Sequence, residues 1–282
     1  NMLTKDSKTG TLYVIATPIG NLEDITLRAL KKLKEIEICA AEDTRKSRIL
    51  FNFFQINTTL VSYNKDSERT KLTLFIDKLR EGKDVGLISD AGTPLISDPG
   101  FLLIKEASKL DIKISPIPGA SALTSSVSVC NLPVDRFTFL GFPPRKGKSR
   151  NLFLKDIENS PYSSIIFESG KRIEGLLEDF INMGSERSIF LGREITKLHE
   201  SFYRGIPKDV LNKLRTSQNH LKGEFVVIFQ GRKKNSQDKY MSKEDKRVLQ
   251  ILMEKLPNNQ ALSIGSEILG IKKNLIYKQI ID

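Results

Sequence analysis

Through the first half of the chain, short apolar runs closed by turn residues alternate with longer stretches whose apolar positions recur every three or four residues. The short runs Thr11–Thr17 (TLYVIAT), Glu35–Ala41 (EIEICAA), Thr59–Tyr63, Val85–Ile88 and Ile112–Ile117 read as strands. Between them, Ile25, Leu27, Leu30 and Leu33 share one helical face, with Asn21 or Asp24 placed to cap it. Leu72, Phe75, Ile76 and Leu79 mark a second helix over 68–80. Asp98-Pro99-Gly100 reads as the start of another, running to about Lys109, and Ala122–Val129 as the next. Five strands alternating with helices predict an α/β fold with a parallel, doubly wound sheet.

The pattern then restarts. Arg136–Phe142, Ser163–Phe167, Ser188–Leu191, Glu200–Tyr203 and Glu224–Phe229 read as a second strand set. The last of these alternates little and is expected at the centre of its sheet. After a basic polar linker at 232–236, the apolar positions of 244–256, 261–269 and 273–281 predict three helices. The last two flank Gly270 as in a helix-turn-helix, and Lys272, Lys273 and Lys278 lie beside Tyr277. The expected organisation is an α/β domain over 11–122, a second α/β domain over 123–234, and a helical domain over 239–282.

Chemistry concentrates where the strands end. Ser89-Asp90-Ala91-Gly92-Thr93-Pro94 follows the fourth strand, where ligands of open α/β sheets bind. Its glycines fit neither the dinucleotide fingerprint nor the phosphate-binding loop of nucleotide hydrolases. Glu42-Asp43-Thr44-Arg45 closes the second strand, and as an isolated cluster it reads as a helix start with a solvated ion pair. Lysines and arginines number 45 against 34 acids, a net charge of +11 that favours a polyanionic partner. Arg145, Lys146, Lys148 and Arg150 crowd one Pro/Gly-bounded loop as candidate phosphate contacts. Two cysteines without a C-x-x-C spacing suggest free thiols in a reducing cytoplasm, and two distant histidines argue against a histidine metal site. No apolar run is long enough to span a membrane, and no signal-peptide pattern is expected.

Taken together, LYVIATPIGNLEDITLRAL, AAEDTR, LISDAGTPLISDPG, PIPGASAL, FLGFPPRKGK, GREITKLHE and GEFVVIF resemble the tetrapyrrole methylase superfamily of S-adenosylmethionine-dependent methyltransferases. The likeness runs from Thr11 to about Ile280 and is greatest to the RNA-directed branch, which methylates a cytidine ribose 2′-hydroxyl in the decoding region of 16S rRNA. That resemblance implies two α/β domains with the cofactor in the cleft between them, a small-ribosomal-subunit partner, and a homodimer. It implies cofactor contacts at Pro18 and Gly20, and at Ser89, Asp90, Ala91, Gly92, Thr93, Pro94, Ile96 and Ser97 for the methionine and ribose parts. Ser121 and Ala122 would lie near the adenosine, and Phe167, Glu168, Phe225 and Val226 would close the other side. The chain departs from the group where ESPHRI becomes Glu168-Ser169-Gly170-Lys171-Arg172-Ile173, without the proline and histidine.

Methyl transfer to a ribose hydroxyl needs in-line positioning, and gains from a base and from a cation near the developing alkoxide. Asp43, Arg45, Glu168, Arg193, Glu194 and Lys197 stand at strand ends as candidates. Glu194 or Asp43 is expected as base, with Arg45 or Lys197 as electrostatic support; no metal is required. Two other readings remain open: a methyltransferase for a tetrapyrrole precursor, and a cofactor-binding module that anchors RNA without catalysis.

Overall fold

The computed structural model describes residues 9–216, 222–232, 241, 243–274, 276 and 277. The chain separates into two compact units, 1–231 and 232–282. The first holds two five-stranded sheets.

The first sheet is built from β1 (Leu12–Ile15), β2 (Ile38–Ala41), β3 (Thr59–Ser62), β4 (Val85–Ile88) and β5 (Ile114–Ile117). All pairings are parallel, in the order β3-β2-β4-β1-β5. β2 and β4 are buried along their whole length, as expected for strands covered on both faces. The covering helices are α1 (Leu27–Glu35), α2 (Thr44–Phe53), α3 (Glu68–Arg80), α4 (Phe101–Lys109) and α5 (Ala122–Val129). One core lies against α3 and α4, around Phe75, Leu79, Leu87 and Leu103. The other lies against α1 and α2, around Ile15, Leu33, Phe51 and Ile88. β2 leads outward to β3 while β4 leads the opposite way to β5, so the loops after β2 and β4 diverge and leave a crevice at the sheet's carboxyl edge.

Two helix starts differ from the sequence expectation. Asn21 caps a short 3₁₀ turn, Leu22–Asp24, and Thr26 caps α1 by accepting from the Ala29 N–H at 3.1 Å. Leu27, counted on the apolar face, is therefore in the first turn and exposed. Asp98 does not cap α4. Gly100 does, at φ +128°, because a Cβ there would stand 2.8 Å from Leu87 Cδ2. Only glycine lets the chain pass this close over β4.

The second sheet combines β6 (Phe137–Gly141), β7 (Ser163–Ser169), β8 (Ile189–Arg193), β9 (Ser201–Gly205) and β10 (Glu224–Phe229) in the order β6-β7-β10-β8-β9. Only β6 and β7 run parallel; β10 is central and antiparallel to both its neighbours. On one face α6 (Gly147–Asn159), α7 (Gly170–Asn182) and α8 (Pro207–Arg215) bury Leu154, Ile173, Phe180 and Leu211 against Val227 and Phe229. On the other face, Ile165, Phe190, Val226 and Ile228 pack with Ile19, Leu132 and residues of α5, joining the two sheets through one apolar layer.

The second unit contains α9 (Lys243–Lys255) and α10 (Asn258–Leu269), the latter starting three residues before the expected Ala261. A Cβ on Gly265 would meet Leu249 at 2.7 Å, so these helices pack at close range. Gly270 ends α10 in the left-handed region at φ +57°, and Leu249, Ile271 and Ile276 form a small core with Met241. Lys278 and the end of the expected last helix lie outside the described residues. Among the described residues no helix is long and apolar enough to cross a membrane.

Candidate active site

The loops that close the crevice are tied to one another by backbone. Thr17 and Gly92 exchange both N–H···O bonds at 3.0 Å, joining the ends of β1 and β4. The Thr93 hydroxyl donates to the Ala120 carbonyl at 3.2 Å, adding the loop after β5. Gly92 sits at φ +82°, where a Cβ would press on Ile19 at 3.1 Å. Leu95 (φ +75°), Ser97 (+82°), Glu194 (+50°) and Thr196 (+69°) also occupy the left-handed region without being glycine. Such residues are uncommon, and four of the six among the described residues lie on two loops facing one cavity.

That cavity, about 410 Å³, lies between the two sheets, within the range of small-molecule sites. From the first sheet's loops come Ile19, Glu42, Lys46, Asp90, Ala91, Gly92, Thr93, Ile96, Ser97, Asp98, Ser121 and Ala122. From the second come Phe142, Phe167, Glu168, Ser169, Glu194, Ile195, Lys197, Glu224, Phe225 and Val226. Phe167 packs edge-on against Phe139 and Phe142, with ring centroids 4.8 and 5.7 Å apart, and gives the cavity a firm apolar wall. Six carboxylates (Glu42, Asp90, Asp98, Glu168, Glu194, Glu224) line it against two ammonium groups (Lys46, Lys197). In a chain of net charge +11, this interior is locally acidic.

Each charge is held in a definite way. Asp90 accepts from the Asp43 N–H at 2.9 Å and from Lys46 Nζ at 2.6 Å. Burial raises the Glu42 carboxyl, and the Asp90 charge adds to it. Burial, with Glu42 next, pushes Asp98 up to about 6. Across the cleft, Lys197 Nζ donates to Glu194 at 2.8 Å and to Glu224 at 3.0 Å. Burial alone lowers the Lys197 ammonium and raises the Glu194 carboxyl. The bonds between them outweigh burial in both cases, so Lys197 moves up, Glu194 moves down, and both stay charged. Glu194 also accepts from the Glu224 N–H at 2.9 Å; a Cβ on Gly223 would lie 2.6 Å from its Cγ. Glu168 is fully buried, accepts from the Ser169 N–H at 2.8 Å, and lies 3.3 Å from Arg172, which also donates to the Pro143 carbonyl at 2.6 Å.

The structure gathers most, but not all, of the residues expected at the site. Ser89 and Pro18 line a smaller adjoining cavity of about 140 Å³ rather than the large one. Gly20 packs under Lys197, whose Cγ would be 2.3 Å from a Cβ there. Pro94 lies in the loop but lines neither cavity, as do Asp43 and Arg45. Asp43 caps α2 and pairs with Arg45 at 2.7 Å; that hydrogen-bonded guanidinium lowers its carboxyl to about 2. Arg193 is buried and donates to the Lys222 carbonyl. Arg145, Lys146 and Lys148 are exposed, whereas Arg150 is pinned to Asp179 and the Pro144 carbonyl. Lys171, at the position of the group's histidine, is exposed.

Sequence reasoning missed Ile19, Glu42, Lys46, Asp98, Phe142, Ser169, Ile195 and Glu224. Glu42 carried a signal, a carboxylate at the end of a buried strand. The left-handed residues carried none, because nothing in Leu95 or Thr196 marks that backbone state.

A parallel α/β half joined to a largely antiparallel half across a ligand-sized cleft defines a class, and comparison with known proteins gives it a name. Residues 11–211 match the family of tetrapyrrole (corrin/porphyrin) methylases, and the chain belongs to that family. Within it, the chain falls with the proteins called ribosomal RNA small subunit methyltransferase I. It is 42% identical to the one from Pseudomonas aeruginosa over 272 residues, covering 96% of each chain. It is 39% identical to that of Escherichia coli O157:H7 over 278 residues, covering 98% of this chain and 96% of that one. The solved structure of diphthine synthase shares the fold, with a TM-score of 0.60 over 78% of this chain and 89% of that one, at 16% identity.

Proposed function

We propose that the chain is an S-adenosylmethionine-dependent ribosomal RNA methyltransferase that methylates a cytidine ribose 2′-hydroxyl in the decoding region of 16S rRNA. The observation that carries the reading is the cleft itself: apolar and aromatic on one side, carboxylate-rich on the other, and set in a basic protein. S-adenosylmethionine has a flat purine and two cationic centres, and the donor set fits it. Phe167, Phe225, Val226 and Ala122 offer apolar surface to the purine, while Asp90, Asp98 and Glu42 offer anionic surface to the cations. When bound there, the cofactor supplies an electrophilic methyl group.

The same lining, in which Glu42 and Asp98 form no ion pair among the described residues, offers little attraction to a polycarboxylate such as a tetrapyrrole precursor entering the cavity whole. In this reading Lys197, kept protonated by Glu194 and Glu224, offsets the negative charge that grows on the acceptor oxygen. Glu194 positions Lys197. Asp43 and Glu194 are weak bases while held in ion pairs; of the cleft carboxylates, Asp98, raised by burial to about 6, is the stronger base. The halves 11–122 and 123–234 act as the two walls, in a cytoplasmic homodimer. The exposed Arg145, Lys146 and Lys148 contact phosphates.

The test is incubation with S-adenosylmethionine labelled in its methyl group, offered small ribosomal subunits lacking the modification or a tetrapyrrole precursor. Label in a cytidine ribose is the expected result. Label in the macrocycle, or binding without transfer, overturns it.

A further inference from the structure

The large cavity has a smaller neighbour, lined in part by Pro18 and Ser89, two of the residues that the resemblance assigns to the cofactor. It measures about 140 Å³ and is also lined by Thr17 after β1, by Ser47, Ile49 and Leu50 of α2, and by Ile88 at the end of β4. Lys46 and Asp90 line both cavities and form a 2.6 Å ion pair. A ligand in the smaller space would therefore touch two residues that also face the larger one. The Lys46 side chain is 62% exposed, so it is free to swing aside without disturbing the core.

The chemistry of the small cavity differs from that of the large one. Its apolar lining includes Pro18, Leu50 and Ile88. The hydroxyls of Thr17 and Ser47 donate to the Ser89 and Asp43 carbonyls at 3.3 and 3.2 Å, which leaves their oxygen lone pairs as acceptors for an incoming N–H. At 140 Å³ it is well below the size of a site for a drug-sized ligand, and admits a single ring rather than a macrocycle. On the same helix Arg48 is exposed beside Ile49, as is Arg45, whose charge is shared with Asp43. A flat polar ring set between apolar walls, with cations at the mouth for flanking phosphates, describes one base taken out of a strand.

We propose that this smaller cavity is the acceptor subsite, taking the pyrimidine base of one nucleotide lifted out of an RNA strand, with its ribose left at the Lys46–Asp90 pair on the side of the methyl donor. The assignment rests on the RNA-methyltransferase reading. It adds where the acceptor enters and which residues select it.

Two substitutions test it in the full-length protein. Ile49→Trp fills the mouth from a side chain that is 66% exposed and places no load on the fold; Ser47→Leu fills the interior. For each variant, methyl transfer to small subunits lacking the modification gives KM and kcat, and calorimetry gives the affinity for S-adenosylmethionine. The expected result is a KM for subunits raised at least about tenfold, with cofactor affinity within about twofold of the parent. Unchanged KM in both variants overturns the subsite while leaving the RNA reading intact. Cofactor affinity falling in step with activity also overturns it, since the cavity would then belong to the donor. If the unaltered protein transfers no label to RNA, the RNA reading fails and this assignment fails with it.

Discussion

The two α/β halves build their walls of the cleft by different means. The first contributes mostly backbone: loops after β1, β4 and β5, laced by main-chain bonds and made possible by Gly92 at φ +82°. The second contributes side chains: Phe167, Phe225 and Val226 from paired strands β7 and β10, and the Glu194–Lys197–Glu224 cluster on the rim. A parallel sheet delivers all its strand ends to one edge, so turns alone make a site. In an antiparallel sheet only alternate strands end there, and the wall is made from side chains projecting off the strand faces.

This contrast is open to attack at several points. The largest effect is expected where the second half buries charge. Arg172→Met leaves the Glu168 carboxylate without its countercharge and releases the Pro143 carbonyl. Urea unfolding should show a loss of about 3 kcal/mol, largely recovered by adding Glu168→Gln. A loss below about 1 kcal/mol would mean that Glu168 does not depend on this ion pair.

Next is Lys197→Met. It should lower the single-turnover rate about a hundredfold and leave donor affinity no weaker, as removal of a charge-stabilising donor does. An unchanged rate would confine Lys197 to bracing the rim. A matched pair of glycine substitutions then sharpens the comparison itself. Gly92→Ala strains the donor loop and should weaken S-adenosylmethionine binding about tenfold with little change in kcat. Gly223→Ala, at φ +103°, collides with Glu194 and should cut kcat about tenfold with little change in donor affinity. If both variants shift the same parameter, the division of labour between the halves is wrong.

The smallest effect is on pH. Asp98 is raised to about 6 in the fold against an ordinary value of 3.8, so between those limits the folded state binds more protons than the unfolded chain. Stability therefore falls as pH rises from about 4 to about 6 on this account, and Asp98→Asn should flatten that slope. Thermal unfolding at intervals across the window checks it; an identical slope in the variant would remove Asp98 as its source.

The same contrast explains what the sequence disclosed. The first half was legible because parallel strands and small-residue turns leave local signatures: Val85–Ile88 followed by a glycine-containing loop announces both a strand and a ligand edge. Even there, Asp98 read as a helix cap, since the clash between a Cβ at 100 and Leu87 is a fact of tertiary packing. In the second half the strands were found, and β10 was expected at the centre. Their antiparallel pairing was invisible, because register depends on partners distant in sequence. Glu224, at the start of β10, was missed for that reason; Phe142 lies just past β6 and meets Phe167 only in the folded sheet. Asp43 and Arg45 drew notice by composition, yet their charges satisfy each other at the start of α2, as the solvated ion pair weighed for that cluster foresees.

The claim beneath all of this is that one methyl donor is held between two walls of different construction. A crystal structure of the protein grown with S-adenosylmethionine tests it most directly. The account predicts density in the 410 Å³ cleft, touching Gly92 and Ala122 on one side and Phe167 and Val226 on the other. Density outside the cleft, or against one half alone, would contradict it.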